Sequence, residues 1–413
     1  MSERKIIEKN IRRYFKEHKN GRVAVLPFRN LSGMVSDVLK EEFDIQEQFI
    51  VDNNAYDMEH IYPMDRMPEG YESCTFLMAA YGNTKKALHE QLLKYVPEDR
   101  IVDLLFDEEQ EQVFASDSKV HIDFLCPGFV KCGTTSLHYA LAQNPRIFLP
   151  QVKETYFLSS SINAATHEAF KKHYREEDTA GKIVGDIDPS YKSRAEDVYR
   201  YCGSEVKIVF CVRNPVNALY SHYKMGMRNE IFMTDSKMAN AKVLEGGGKN
   251  ISPEMFDIWA QKYRFRNRYT DYIKMFLQYY PEEQIKIIVS EELYADVQGQ
   301  MDDLQDFLGI PAEDKLVYRE FPRENIGSKV AKDQTGLDIN INMGLLRRRL
   351  VQRCDLASLD LLRDIREKVE EFTLVDYNEP MLESTRRELQ DYYMDSIHEM
   401  EGMLGRSLQG KWY

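Results

Sequence analysis

The stretch "PGFVKCGTTSLHYAL", Pro127 to Leu141, sets the reading of the whole chain. It follows the apolar run "VHIDFLC" (Val120 to Cys126) and opens an amphipathic segment, so it reads as a strand, a glycine-bounded turn and a helix starting near Thr134. Gly128 and Gly133 have the spacing of the nucleoside-triphosphate loop G-x-x-x-x-G-K-[ST], but Thr134 stands where that pattern has lysine and Lys131 lies inside the loop. A turn of this kind presents backbone N–H groups at a helix N-terminus, where the helix dipole favours an anion. Thr134, Thr135 and Ser136 add hydroxyl donors and Lys131 a mobile point charge. Glycine-spaced turns of this form also connect strands to helices with no ligand.

The same strand, turn and helix order recurs downstream. "KIVGDIDPSYKSR" (Lys182 to Arg194) ends an apolar run in an Asp/Pro turn. "VKIVFCVRNPVNALYSHY" (Val206 to Tyr223) is a fully apolar strand followed at once by Arg213, a proline suited to helix initiation at 215, and Ser221 two turns into the helix. A fourth unit starts with a strand over Ile285 to Val289. Such alternation predicts a three-layer α/β domain over 120–413 with a mostly parallel sheet, whose ligands sit at the carboxyl ends of the strands. Between the third and fourth units, the polar Arg228 to Phe256 segment with three successive glycines reads as a disordered stretch or a substrate lid. The late stripe Leu389, Tyr393, Ile397, Met400 and Leu404 has helical spacing and reads as core.

Residues 1–115 read as a smaller α/β unit. "RVAVLPF", "QFIVDNN" and "CTFLMAA" alternate with helical-period runs, which indicates a parallel, Rossmann-like sheet. Its first turn, "PFRNLSGM", lacks the G-x-G-x-x-G that close approach to a pyrophosphate needs. The unit resembles Rossmann-like accessory domains found beside bacterial glycan-modifying enzymes. The acidic "DEEQEQVFASDSK" (Asp107 to Lys119) reads as the linker between the two domains.

Over 413 residues the net charge is −13, which argues against a sequence-independent nucleic-acid binder while leaving room for a local basic pocket. Six cysteines without C-x-x-C spacing read as free thiols in a reducing compartment. No segment approaches the about 20 apolar residues a membrane span needs, and the charged N-terminus has no signal-peptide core. The expectation is an unanchored, cytoplasmic protein.

"GFVKCGTTSL" and "RNPVNALYSHY" resemble the 5′-phosphosulfate loop and the 3′-phosphate motif of sulfotransferases that use 3′-phosphoadenosine 5′-phosphosulfate (PAPS), in their carbohydrate-type branch. "LPQVKETYFL", "YPEEQIKIIVSEELYADVQGQMDDLQDFLGI" and "MEGMLGRSLQGKW" agree with it in order, so the likeness runs from Val120 to Tyr413. It implies that Lys131, Cys132, Gly133, Thr134, Thr135 and Ser136 hold the 5′-phosphosulfate and that Arg213 and Ser221 hold the 3′-phosphate. Lys329, in the late loop "FPRENIGSKVAK", is implied as a further 3′-phosphate contact. Glu154 aligns with the glutamate that "K-E-x-x-F" glycan sulfotransferases use as base, with Lys153 beside it; a solvated Lys-Glu pair in a loop is the alternative.

The resemblance implies PAPS as donor, PAP as product, no metal, and the hydroxyl of a sugar, glycolipid or small molecule as acceptor. Lys131 and the loop amides would neutralise the departing phosphate. Relatives acting on heparan-type glycans have G-E-K-T-P-x-Y where this chain has "GDIDPSY"; Ile187 occupies the lysine's place, which leaves the electrophilic role mainly to Lys131. His138, Asp186, Asp188 and His222 are competing acid/base candidates, the two histidines reading as packing or hydrogen-bonding residues. The alternatives are a P-loop-type kinase or hydrolase, and a non-catalytic nucleotide-binding scaffold. The basic "LLRRRLVQR" (Leu345 to Arg353) reads as a solvated helix face or as a steering surface for an anionic acceptor.

Overall fold

Apolar runs bounded by turn residues become the strands of two parallel sheets in the computed structural model, which describes residues 3–18, 21–28, 30–53, 59–80, 82–229, 252–319 and 329–413. By their internal contacts the residues form two units, Met1–Ala115 with Ser161–Asn163, and Ser116–Ser160 with Ala164–Tyr413.

In the first unit the sheet order is β3-β2-β1-β4-β5, with β1 at Val23–Leu26, β2 at Phe49–Val51, β3 at Ile61–Tyr62, β4 at Thr75–Met78 and β5 at Ile101–Asp103. Every neighbouring pair is parallel. Alternation along β1 sends Val23 and Val25 into a core with Ile7, Ile11 and Val38, and Ala24 and Leu26 into a second core with Phe76, Leu88 and Leu92. A strand covered on both faces must be apolar at every position, and β1 is. β3 and β5 are two and three residues long, too short to show a period in the sequence. The stretch read as a linker contains a helix, Glu108–Phe114: Asp107 caps it by accepting the Glu109 N–H, and three glutamates in its first turn favour the positive end of the dipole. Acidity that looked like solvated linker is helix-start chemistry.

The second unit holds the sheet β10-β9-β6-β8-β7, where β6 is Phe124–Gly128, β7 Ile147–Phe148, β8 Ile183–Ile187, β9 Lys207–Val212 and β10 Ile285–Val289. All its pairs are parallel, so the turns after β6, β8, β9 and β10 open on one edge. β6, central between β8 and β9, is buried at all five positions. Gly185 in β8 lets Phe124 lie flat across it, since a Cβ there would fall 2.2 Å from the Phe124 ring. Beyond the sheet, helices Gln334–Gln352 and Leu356–Thr373 pack as a pair, joined to a two-stranded antiparallel ribbon of β11 (Lys329–Ala331) and β12 (Leu374–Asp376). The closing helix, Glu383–Leu404, buries Leu389, Tyr393, Ile397 and Met400, with Leu404 only half-buried.

All six cysteines are free. No helix among the described residues is long and apolar enough to cross a membrane. Residues 230–251 of the segment read as a lid, and 320–328 of the late polar loop, lie outside the described residues.

Candidate active site

A cleft of 1740 Å³ opens where the turns of the second sheet converge. Its described lining has five lysines and eight arginines against two glutamates and one aspartate, the reverse of the balance of a chain with net charge −13. In a concave, partly water-excluded site that excess gives a strongly positive potential.

The turn after β6 forms the floor. Gly133, at φ 88°, is the N-cap of helix Thr134–Leu141 and has no side chain to cap it, and Thr134, Thr135 and Ser136 of the first turn line the cleft. Lys131 is also left-handed, at φ 64°, a conformation that costs a non-glycine residue roughly 1–2 kcal/mol. Other elements hold the turn in place. Ser290, at the end of β10, donates to the Cys132 carbonyl at 2.8 Å, and Arg213, at the end of β9, reaches the Lys131 carbonyl at 3.4 Å.

Lys131, Gly133, Thr134, Thr135 and Ser136 all line the cleft, and so do Arg213, Ser221 and Lys329. Cys132 does not: its thiol turns into the core against the Tyr269 hydroxyl at 3.4 Å, and burial pushes it up to about 12. Only the backbone of Cys132 serves the loop.

The Arg-Asn-Pro turn is fixed by partners that sequence reading missed. Asn214 donates its side-chain N–H to the Trp412 carbonyl at 2.8 Å, and Glu291 accepts both the Asn214 backbone N–H at 2.9 Å and the Trp412 indole N–H at 3.1 Å. The C-terminal "GKWY" is therefore a clamp on the turn after β9, with Trp412 buried. Trp412 is set off from Leu408 by Gln409, Gly410 and Lys411 and belongs to no periodic stripe, so only the likeness of "MEGMLGRSLQGKW" marked it.

Opposite the loop stand Lys153, Glu154 and Tyr156. Glu154 (φ 68°) and Tyr156 (φ 58°) are both left-handed, so three strained residues, with Lys131, border one cleft. Glu154 pairs with Lys153 through one oxygen and accepts the Tyr156 hydroxyl at 2.6 Å through the other. Burial would raise its pKa, but the charge and hydrogen bond of Lys153, then Tyr156 and Arg347, bring it down to about 2. Arg347, from helix Gln334–Gln352, donates to the Lys153 carbonyl at 3.1 Å and reaches the Tyr156 hydroxyl at 3.5 Å. The basic helix thus builds one wall of the cleft.

Asp186 and Asp188 are buried behind this wall and do not line it. Asp188 accepts the Tyr156 N–H at 2.7 Å and the Ser190 N–H at 3.0 Å; Asp186 accepts the Thr155 hydroxyl at 3.2 Å. Burial, then the neighbouring Asp188 charge, raises Asp186 to about 7. These carboxylates brace the backbone of 155–156. His138 is buried away from the cleft, and desolvation takes it down to about 4. His222 does line the cleft, and is held well below its ordinary value by burial and then by Arg266, Lys192 and Lys131. Among the described residues no cluster of three His, Cys, Asp or Glu side chains is placed to hold a metal ion.

Residues 200–330, which supply β9, β10 and the Arg213 turn, match the family model described as "Sulfotransferase domain". Among solved structures, the sulfotransferase from Alicyclobacillus acidocaldarius is similar at 19% identity over 71% of this chain and 100% of its own, with a TM-score of 0.45. A sulfotransferase domain from the curacin biosynthetic pathway is similar at 15% identity over 67% of this chain and 99% of its own, with a TM-score of 0.33. Mouse sulfotransferase SULT7A1 complexed with PAP is similar at 15% identity over 50% and 64%, with a TM-score of 0.28. Scores this low carry no argument, and what the comparisons show is the likeness of residues 200–330 to a sulfotransferase domain.

Proposed function

We propose that this protein moves the sulfuryl group of PAPS to a hydroxyl of a carbohydrate, glycolipid or related acceptor. One observation carries the reading. The Lys131 loop and the Arg213/Ser221 unit border a single cationic cleft and are joined through the Arg213 hydrogen bond to Lys131. A donor with a phosphosulfate at one end and a 3′-phosphate at the other fits two linked anion sites. A nucleoside triphosphate needs a lysine after Gly133 and a metal-binding hydroxyl, and Thr134 occupies the first of those places.

In this mechanism Lys131, the uncapped amides and the hydroxyls of Thr134, Thr135 and Ser136 take the 5′-phosphosulfate, while Arg213, Ser221 and Lys329 take the 3′-phosphate. The acceptor oxygen attacks sulfur in line, forming one S–O bond as the bridging S–O bond breaks and its electron pair passes to the 5′-phosphate of PAP. Lys131 neutralises that charge. Glu154 receives the acceptor proton. At rest it is tied to Lys153 and Tyr156, with a pKa of about 2 that makes it a weak base. An incoming hydroxyl that displaces one of those partners raises the basicity of Glu154 as it binds, coupling activation to acceptor arrival.

Residues 1–115 are proposed as an accessory domain with no part in holding the donor. The test is incubation with labelled PAPS and panels of glycan, glycolipid and small-molecule acceptors. Glu154→Gln is expected to cut turnover about 100-fold or more while keeping PAP binding within a few-fold. Unchanged turnover removes Glu154 as base; magnesium-dependent ATP turnover without any sulfated product overturns the reading as a whole.

A further inference from the structure

Two cations of the cleft have no part in the motifs above. Lys192 follows the turn Pro189–Tyr191 at the end of β8, and Arg266 lies in the turn Arg264–Asn267; both line the cleft with Lys131. The stem of Lys192 runs beside the phosphosulfate loop, its Cβ 3.5 Å from where a Cβ on Gly128 would lie. Its amine sits 4.4 Å from the centre of the Tyr272 ring and 5.9 Å from that of Phe129, and donates to the Arg266 carbonyl at 3.0 Å. That uses one of the three N–H groups an ammonium carries.

The groups facing the Lys192 amine are Arg266, the Cys132 thiol and the Tyr272 ring, and His222 of helix Pro215–Asn229 feels the charges of Arg266, Lys192 and Lys131. Among the described residues none of these is a carboxylate, and Lys131, Lys192 and Arg266 line the same cleft, so an anion entering it meets three positive charges.

We infer that Lys192 and Arg266 complete, with Lys131, a three-cation receptor for the phosphosulfate end of the donor, and that Lys192 is a further catalytic residue of the transfer. The inference rests on the cleft being a PAPS site. It assigns the neutralisation of the transferring group to three cations from three separate turns.

A proton linkage follows. Burial, and then the Arg266 charge, lower Lys192 to about 7, so above neutrality the unliganded amine is largely uncharged. A bound oxyanion calls for the ammonium form, so binding takes up a proton above pH 7 and weakens as pH rises. The facing groups do not titrate between pH 7 and 9: burial holds Cys132 near 12 and Tyr272 above its ordinary value, while His222 stays neutral.

The experiment is titration calorimetry of the full chain with PAP from pH 7 to 9, in buffers of different ionisation enthalpy. Wild type is expected to lose affinity toward a limit of about tenfold per pH unit, with uptake approaching one proton. Lys192→Arg should bind with little pH slope and no uptake, because a guanidinium stays charged. Lys192→Met should bind about tenfold or more weakly at pH 7, also with no slope, and lose kcat to a greater extent. A wild-type slope and uptake that persist in the Arg variant overturn the inference, whether or not the Met variant folds. Failure of wild type to bind PAP across this range sinks the PAPS reading itself and leaves the role of Lys192 without its ligand.

Discussion

β1 and β6 are both central strands of five-stranded parallel sheets, buried along their length and flanked by strands on each side. Their ends differ. β1 runs into Pro27 and Phe28 and then helix Asn30–Phe43, without a glycine in the turn, whereas β6 runs through a left-handed Lys131 and Gly133 to an uncapped helix start. A parallel sheet supplies a place for a ligand at its carboxyl edge, and residues of the turn decide whether anything can be held there. Of the left-handed non-glycine residues described, Lys131, Glu154 and Tyr156 border the cleft of the second unit, while Asp44 and His60 lie in the first unit.

The sharpest way to break the comparison is to remove the charge that distinguishes the two turns. Lys131→Ala should lower kcat/KM by about 100- to 1,000-fold, the scale of losing one preorganised charge-stabilising group. Phe28→Ala, an exposed residue at the end of β1, should change it by less than about twofold. Comparable losses in the two variants, measured with labelled PAPS, would mean that the first sheet shares in the chemistry.

A smaller effect tests how β8 is seated beside β6. Gly185→Ala places a methyl on the Phe124 ring, and overpacking of that kind costs about 1–3 kcal/mol. Urea denaturation should show the midpoint falling with the slope unchanged; a variant as stable as wild type would show that the ring has room to move.

The smallest expected effect is a pH signature. Asp186 has a folded-state pKa raised to about 7, so its contribution to stability is fully present below the unfolded value near 4 and is lost as pH rises through 7. Asp186→Asn still accepts from Thr155 and has no charge to bury. Its stability relative to wild type should therefore improve between pH 5 and pH 8 by at least about 1.4 kcal/mol, one pKa unit's worth. Parallel thermal-unfolding curves for the two proteins across that range would show that Asp186 is ionised throughout in the native state.

Much of the sheet was legible. Runs such as "IVFCV" (Ile208 to Val212) are apolar at every position because strands covered on both faces require it, and glycine, proline and aspartate mark where such runs stop. The grouping of Lys131, Thr134, Thr135 and Ser136 on one cleft was legible because these residues are contiguous in the turn after β6. The partners that hold the site could not be read in this way. Ser290, Glu291, Arg347 and Trp412 reach it from turns and helices far along the chain, and Lys192 looked like one more charged residue after an Asp/Pro turn. The helix Glu108–Phe114 was missed for the opposite reason: a short, acidic segment has the composition of a linker and the capping of a helix.

Local sequence by itself determined which of the longer apolar segments are strands, where the glycine-bounded turn lies and which side chains it offers, because periodicity, glycine and helix-start chemistry act over a few residues. Tertiary structure alone decided that Arg213 ties to the Lys131 loop, that Cys132 faces the core, that Glu154 rests between Lys153 and Tyr156, and that Lys192 and Arg266 crowd the same field as Lys131. Those are matters of charge and burial across the open edge of a sheet. They depend on which turns the strand order sets side by side, and no spacing along the chain encodes that.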